Sequence, residues 1–362
     1  DQPRSRGLGD VYKRQIRMCE RIIPTTLVGS YPQPTWLVNK DVLTGNSPPR
    51  VQMRDIWRIR NSELQEAQDD ATLTAIHDQE RAGIDILTDG EVRRESYFNR
   101  FATALDGIDL DNPATTPSRT GNPTFVPRVI DKIRRMRPVQ VRDVEFLRTH
   151  TNRTIKITVP GAFTMATLAV DEYYHDKQKL ISAYASSLNE EIRDLKDAGA
   201  DVIQIDEPYL QAHPDEAEQY GVSAIDQALD GIEGPTIVHL CFGYAYIVKD
   251  KPTGYSFLPQ LERSCVEAIS IEAAQPNLDP VILRELPSKK ILFGVIDLGT
   301  HQIETPEQIA DRLRQALQYV QKERLIAAPD CGMKYLPRNI AFSKLESMVK
   351  GAAIIRRELG SQ

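Results

Sequence analysis

Eight short apolar runs, each followed by a polar turn and a helical stretch, constrain this fold more than any other feature of the chain. They are TTLVGS (25–30), IDILTDGE (84–91), TIKITVPG (154–161), DVIQIDEP (201–208), TIVHLCFG (236–243), AISIEA (268–273), KILFGVIDL (290–298) and RLIAAPDCG (324–332). Each is apolar along most of its length, the pattern of strands covered on both faces of a parallel sheet. Between them, stretches such as 63–83, 178–200 and 305–323 carry helical spacing, and several stop in Ala-Gly or a similar signal just before the next strand. Eight strand–helix units predict an α/β fold, a single (β/α)8 TIM-type barrel. No G-x-G-x-x-G follows the first run, so an open dinucleotide-binding sheet has little support. Segment 107–150, rich in Pro, Arg and Asn, reads as a loop or hairpin excursion over the top of the barrel. One domain is expected over 18–362. The aperiodic DQPRSRGLGDVYKRQIR (1–17), ahead of Met18, reads as non-native or disordered.

Composition narrows the partners. A net charge of −6 argues against nucleic acid or an anionic membrane as the main partner. No window approaches the roughly 18 uninterrupted apolar residues of a membrane span. The cysteines Cys19, Cys241, Cys265 and Cys331 are too few and too scattered for a disulfide scaffold, so reduced thiols and a cytoplasmic setting are expected.

In such barrels the working groups sit at the C-terminal ends of the strands. Here those ends carry Asp89 and Glu91, Asp206 and Glu207, His239 and Cys241, Glu272, Asp297, and Asp330 with Cys331. His239 and Cys241, two apart on a strand, point to one side. Alone, they are as well explained by core packing. With Glu272 and Cys331 they form an N, S, O, S donor set, and zinc accepts all three donor types in tetrahedral coordination. Cys331 lies in Asp-Cys-Gly, a turn rather than a core segment. Cys265, in LERSCVEA, reads as helical packing, whereas His77, His175, His213 and His301 read as solvated surface residues. Glu91 and Asp206 project toward the mouth beside the metal. As a pair they suit a substrate ammonium; as single residues either can cap a helix N-terminus. Asp206 and Glu207 are adjacent, so only one points inward. Asp206 is taken as that one, with Glu207 as a rim or hydrogen-bonding residue.

With those residues in place, the chain resembles the cobalamin-independent methionine synthase family, and specifically its catalytic C-terminal barrel. The likeness runs from TTLVGSYPQP (25–34) through DQERAGIDILTDGEVRRESYF (78–98), DVIQIDEPYL (201–210), VHLCFG (238–243), ISIEAA and GVIDL to APDCGMK (328–334). The N-terminal barrel of the long enzymes is missing, as in the short, core-type form. The resemblance implies a zinc-dependent methyl transfer to homocysteine, with His239, Cys241, Glu272 and Cys331 on the zinc. It also implies that Ser30, Glu91 and Asp206 hold the amino-acid end of the substrate.

Three departures touch the methyl donor's side. The family's folate users carry a tryptophan shortly after the third strand, whereas PGAFTMATLA (160–169) has none. An Arg-Glu pair generally follows D-E-P-A-L, but this chain reads DEPYLQAH. The family's D-I-H, whose histidine can protonate the leaving group, is replaced by Asp297-Leu298-Gly299, with His301 two residues further on. The expected donor is thus methyltetrahydrofolate or a methylcorrinoid, the latter bringing a corrinoid protein in as a partner. Arg93, Arg94 and Arg128, able in principle to meet an anionic donor, read as solvated surface arginines. The alternative activity is another zinc-dependent thiol alkylation, such as an epoxyalkane:coenzyme M transferase. Its sulfonate substrate calls for basic groups where this chain has Glu91 and Asp206.

Overall fold

The apolar runs pair side by side and in parallel. A computed structural model describes residues 21–44, 48–117, 123–243 and 254–360; the segment 1–17 and Cys19 lie outside the described residues. In chain order the strands are β1 (Ile86–Leu87), β2 (Asp106–Pro117), β3 (Pro123–Arg134), β4 (Thr154–Pro160) and β5 (Val170–Asp171). There follow β6 (Val202–Asp206), β7 (Thr236–Leu240), β8 (Ala268–Ile271), β9 (Lys290–Ile296) and β10 (Leu325–Pro329). Seven of them form one parallel sheet, ordered β1-β4-β6-β7-β8-β9-β10.

The first apolar run closes this curled sheet. Thr25 bridges Ala327 on β10, and Thr26 bridges Ile86 on β1. The Thr26 N–H donates to the Ala327 carbonyl (3.0 Å), and the Ala327 N–H donates to Pro24 O (2.9 Å). On the other side the Ile86 N–H donates to Thr25 O (3.0 Å). The segment is the eighth stave, so the expected TIM-type α/β architecture is the one observed. Its pairing is short because side chains claim the next carbonyls. Lys156 Nζ donates to Leu27 O (2.6 Å), and Thr88 Oγ1 donates to Gly29 O (2.8 Å).

The barrel is flanked by helices α1 (Asn61–Ala82), α2 (Val141–His150), α3 (Ala162–Thr167), α4 (Lys177–Asp197), α5 (Pro208–Ala212), α6 (Pro214–Ala228), α7 (Pro306–Ala316) and α8 (Arg338–Glu358). Helix α1 stops at Gly83, whose φ of +88° lets its N–H reach back to the Gln79 and Glu80 carbonyls. Helix α7 opens with a capping box of Thr305 and Gln308. It ends at Ala316, short of the 323 expected, because the chain tightens into i→i−3 bonds from Gln318 to Gln315 and from Tyr319 to Ala316. Among the described residues, no helix is long and apolar enough to cross a membrane.

The excursion holds more structure than a loop. Strands β2 and β3 pair as an antiparallel hairpin with register shifts, β3 takes β5 as a parallel neighbour, and α2 completes the segment.

Two apolar clusters fill the molecule. The larger lies between sheet and helices; the smaller comprises Val28, Ile86, Val202, Ile237, Ala268, Leu292, Ile326 and Ala328. These eight come from the barrel strands and form its inner layer. Strand side chains alternate with period two, so the residues two and four further on share that inward direction. Gln204 and Asp206 therefore stand above Val202, His239 and Cys241 above Ile237, and Ser270 and Glu272 above Ala268.

An ion pair braces the closing stave. Asp85 Oδ2 accepts from the Thr25 N–H (2.9 Å), from Thr25 Oγ1 (3.0 Å) and from Arg356 Nη2 (2.6 Å). The same guanidinium donates to the Ile22 and Ile23 carbonyls. Arg21 also pairs with Asp85 (2.5 Å), so removing Arg356 leaves the carboxylate one cation but takes the donor from the Ile22 and Ile23 carbonyls. Arg356→Met is expected to lower unfolding stability by about 1.5 kcal/mol in urea titrations. An unchanged midpoint would show that the barrel closes without this brace.

Candidate active site

His239, Cys241 and Cys331 converge at the mouth of the barrel. One donor atom from each lies within 4.8 Å of the others, and all three side chains are buried. The two sulfurs are 3.2 Å apart, although ninety positions separate the residues. Strand β7 supplies His239, the position just past its end supplies Cys241 in the same two-residue period, and the turn after β10 supplies Cys331. An imidazole and two thiols at this spacing can hold a metal ion of the zinc type. Ligands drawn from two distant strand ends, rather than from a local C-x-x-C, are those of an open site.

Glu272, the expected fourth donor, is fully buried but stands outside that cluster. Its Oε1 accepts from the Phe242 N–H (3.0 Å), which ties the end of β8 to the end of β7. Tyr255 makes a second tie: its hydroxyl donates to Leu240 O (3.2 Å) and accepts from the Glu272 N–H (2.8 Å). The loop after Glu272 is gathered by Asp330, whose carboxylate accepts from the N–H groups of Ala273, Ala274 and Gln275 at 2.9, 2.9 and 2.6 Å. The residue next to Cys331 therefore also fixes the backbone next to Glu272. His239 Nδ1 lies 2.9 Å from Ser270 Oγ, which orients the ring.

The acidic residues line the other half of the mouth. Glu91 adopts a φ of +51° and is buried; Thr158 Oγ1 donates to its Oε1 (2.9 Å), and among the described residues its Oε2 has no hydrogen-bond partner. Ser30 Oγ is likewise buried without a partner among the described residues. The Ser30 carbonyl accepts from the Met333 N–H (2.9 Å), so the turn carrying Cys331 is pinned to the first stave. Asp206 Oδ1 accepts from Gln204 Nε2 (2.7 Å). Burial, reinforced by the charge of Glu91, pushes the Asp206 carboxyl well above the usual carboxylate range. Glu207 faces the other way. Its carboxylate accepts from the Phe163 and Thr164 N–H groups and from Thr164 Oγ1 at 3.0, 2.9 and 2.6 Å, capping α3. Burial pushes it up to about 7.

Some residues sit where the sequence did not put them. Arg93 and Arg94 are buried rather than solvated, because the fold turns each of them onto a carboxylate. Arg94 donates to Thr158 O and pairs with Asp89 (3.2 Å), while Arg93 pairs with Asp69 (2.5 Å) and packs over the Phe146 ring. Arg128 is half-buried and paired with Glu172 (3.0 Å). Cys265 was expected in helical packing but is exposed, in a turn held by a bond from its N–H to Asp226 (2.9 Å). Asp297 Oδ1 accepts from the Gly299 N–H (2.7 Å), and His301 is exposed on the following loop; among the described residues neither belongs to the His-Cys-Cys cluster. Two site cations were missed by sequence reasoning. Lys156 and Lys334 are buried beside the acids, and Lys334 Nζ donates to Arg94 O (2.7 Å). The inward period of β4 marks Lys156 in retrospect; nothing in APDCGMK marks Lys334.

Three of the buried carboxylates each lie over a glycine of the neighbouring stave. A Cβ added at Gly29 would fall 2.2 Å from Glu91 Oε1, at Gly161 2.0 Å from Glu207 and at Gly294 2.0 Å from Asp330 Oδ1. Gly294→Ala is expected to drive Asp330 off its three amides and to cost about 3 kcal/mol, read by chemical denaturation. Gly254→Ala, where an added Cβ meets nothing within 4 Å, serves as the neutral control.

Comparison with known proteins bears on this geometry. The family described as "Cobalamin-independent synthase, Catalytic domain" matches residues 23–354. A methionine synthase of Sulfurisphaera tokodaii is 36% identical over 340 residues, covering 93% of this chain and 94% of its own. One from Thermococcus kodakarensis is 33% identical over 344 residues, covering 94% and 96%. A B12-independent methionine synthase from Shewanella sp. W3-18-1, solved with selenomethionine, superposes with a TM-score of 0.85 at 33% identity, over 94% of this chain and 99% of that one. A fold shared at 0.85, a match across nearly the whole length and the strand-end residues all agree: the chain belongs to the cobalamin-independent methionine synthase family of homocysteine S-methyltransferases.

Proposed function

We propose that this protein makes methionine by transferring a methyl group to the thiol of homocysteine, with zinc held by His239, Cys241, Cys331 and Glu272. The observation that carries the reading is the buried His-Cys-Cys cluster opening onto a buried acid pair. Two thiolates and an imidazole suit zinc over harder cations. Zinc bound there favours the deprotonated form of a substrate thiol at neutral pH.

The chain's own residues do the rest. Glu91 and Asp206 receive the substrate ammonium, and Ser30 Oγ reaches its carboxylate. Anchoring the amino-acid end aims the sulfur at the cluster, so that the methyl group meets it in line and positioning supplies most of the rate. A carbon–sulfur bond forms as the bond between methyl and donor breaks, and the donor keeps that electron pair. Phe242, Tyr255 and the other apolar groups around the cluster exclude water. The acid pair disfavours a sulfonate thiol such as coenzyme M. For the donor, residues 162–166 are buried and hold no tryptophan, so this stretch presents no indole to a pterin. A methylcorrinoid needs none, and it is the donor proposed.

The test is to measure zinc per chain and then follow methionine formation with methylcobalamin and methyltetrahydrofolate in parallel. Wild type is expected to hold about one zinc, and Cys331→Ser to lose most of it together with at least a hundredfold in rate. Asp206→Asn is expected to keep its zinc and to raise the homocysteine KM about tenfold. Full zinc in Cys331→Ser would sink the metal assignment. Faster turnover with the folate would overturn the choice of donor.

A further inference from the structure

Lys156 lies inside the barrel, one layer below the acid pair, and is fully buried. An ammonium only donates hydrogen bonds. Its Nζ donates to Leu27 O (2.6 Å) and to Gln204 Oε1 (2.5 Å). The second contact fixes the Gln204 amide: with its oxygen turned down to the lysine, its NH2 must face up. Gln204 Nε2 then donates to Asp206 Oδ1 (2.7 Å), which must be an acceptor. Lysine, glutamine and aspartate thus form one directed chain from the barrel interior to the mouth. Burial pushes Lys156 down to about 7, against the pull of the Asp206 and Glu91 charges. Both of these hydrogen-bond acceptors are neutral, so the lysine acts on the acids through Gln204 rather than by a direct contact.

We infer that Lys156 is a positioning residue for homocysteine: through Gln204 it holds Asp206 with Oδ1 turned inward as an acceptor and Oδ2 left toward the substrate ammonium. The inference rests on the reading of Asp206 as the ammonium acceptor. It assigns discrimination for an α-amino thiol to a residue that never touches the substrate. Removing the lysine releases the glutamine, which can flip its amide and present an oxygen to Asp206. Like then faces like, and the carboxylate turns away from the pocket.

The test compares homocysteine with mercaptobutanoate, the same thiol acid without its amino group, in direct binding to the zinc-loaded protein. The variants are Lys156→Met, Gln204→Met and Asp206→Asn, each checked for zinc content and thermal midpoint. Lys156→Met and Gln204→Met are each expected to weaken homocysteine about tenfold and leave mercaptobutanoate unchanged. If Lys156→Met does not fold, Gln204→Met decides, because it cuts the chain at its uncharged link. Equal losses for both thiols, or no loss for either, would overturn the inference while Asp206→Asn still weakens homocysteine. Unchanged homocysteine affinity in Asp206→Asn would instead overturn the reading on which it rests.

Discussion

The structure depends on the few main-chain hydrogen bonds that residues 24–26 make to both edges of the sheet. Seven parallel strands alone give an open curl whose last stave is far from its first. Once Thr25 and Thr26 bridge Ala327 and Ile86, the turn after β10 lies against the end of the first run, where the Met333 N–H meets Ser30 O. That contact puts Cys331 in the same mouth as Ser30 and Glu91. Closure is thus as much a condition of the site as of the fold. It is short for a reason internal to the barrel, since Lys156 and Thr88 have taken the carbonyls that a longer first strand would have paired.

Much of this was legible in the sequence, for a simple reason. Buried parallel strands are written as apolar runs, and a residue type that such a run does not need stands out at its end. His239, Cys241, Asp206 and Cys331 are conspicuous in that way, and period two settles which of them face inward. Charges neutralised over long sequence distances were not legible. Arg93 follows Asp-Gly-Glu-Val and looks like a solvated residue until the fold brings Asp69 and Asp143 to it. Glu272 shows another limit. Its place at a strand end is plain from ISIEA, but its bond to the Phe242 N–H depends on how two strand ends settle against each other. The hairpin in 107–150 was left open by the sequence because its strands are polar and bulged, so their alternation is broken.

The acids of the mouth are partly offset by buried cations. Asp89, Glu91, Asp206 and Glu207 are buried there, and so are Arg94, Lys156 and Lys334. The cations spend their donors on carbonyls, on Thr158 and on Gln204, and on the one carboxylate of Asp89. They therefore offset the charge of Glu91 and Asp206 while donating elsewhere, which suits the ammonium site proposed there. Binding a cation between two buried acids costs less when the acids are already oriented.

The three glycine–carboxylate contacts have a consequence for how this site can change over evolution. Glu91, Glu207 and Asp330 each occupy space that exists because the adjacent stave carries no side chain there. An acid cannot be moved to a neighbouring strand end by one substitution, because no comparable hollow waits for it, and a hollow cannot be filled while its acid remains. Two positions far apart in sequence must change together, through an intermediate that is either clashing or hollow. Drift at the rim of the barrel meets no such barrier. Each hollow and its acid are for that reason constrained as a pair, and this mouth changes only in linked steps.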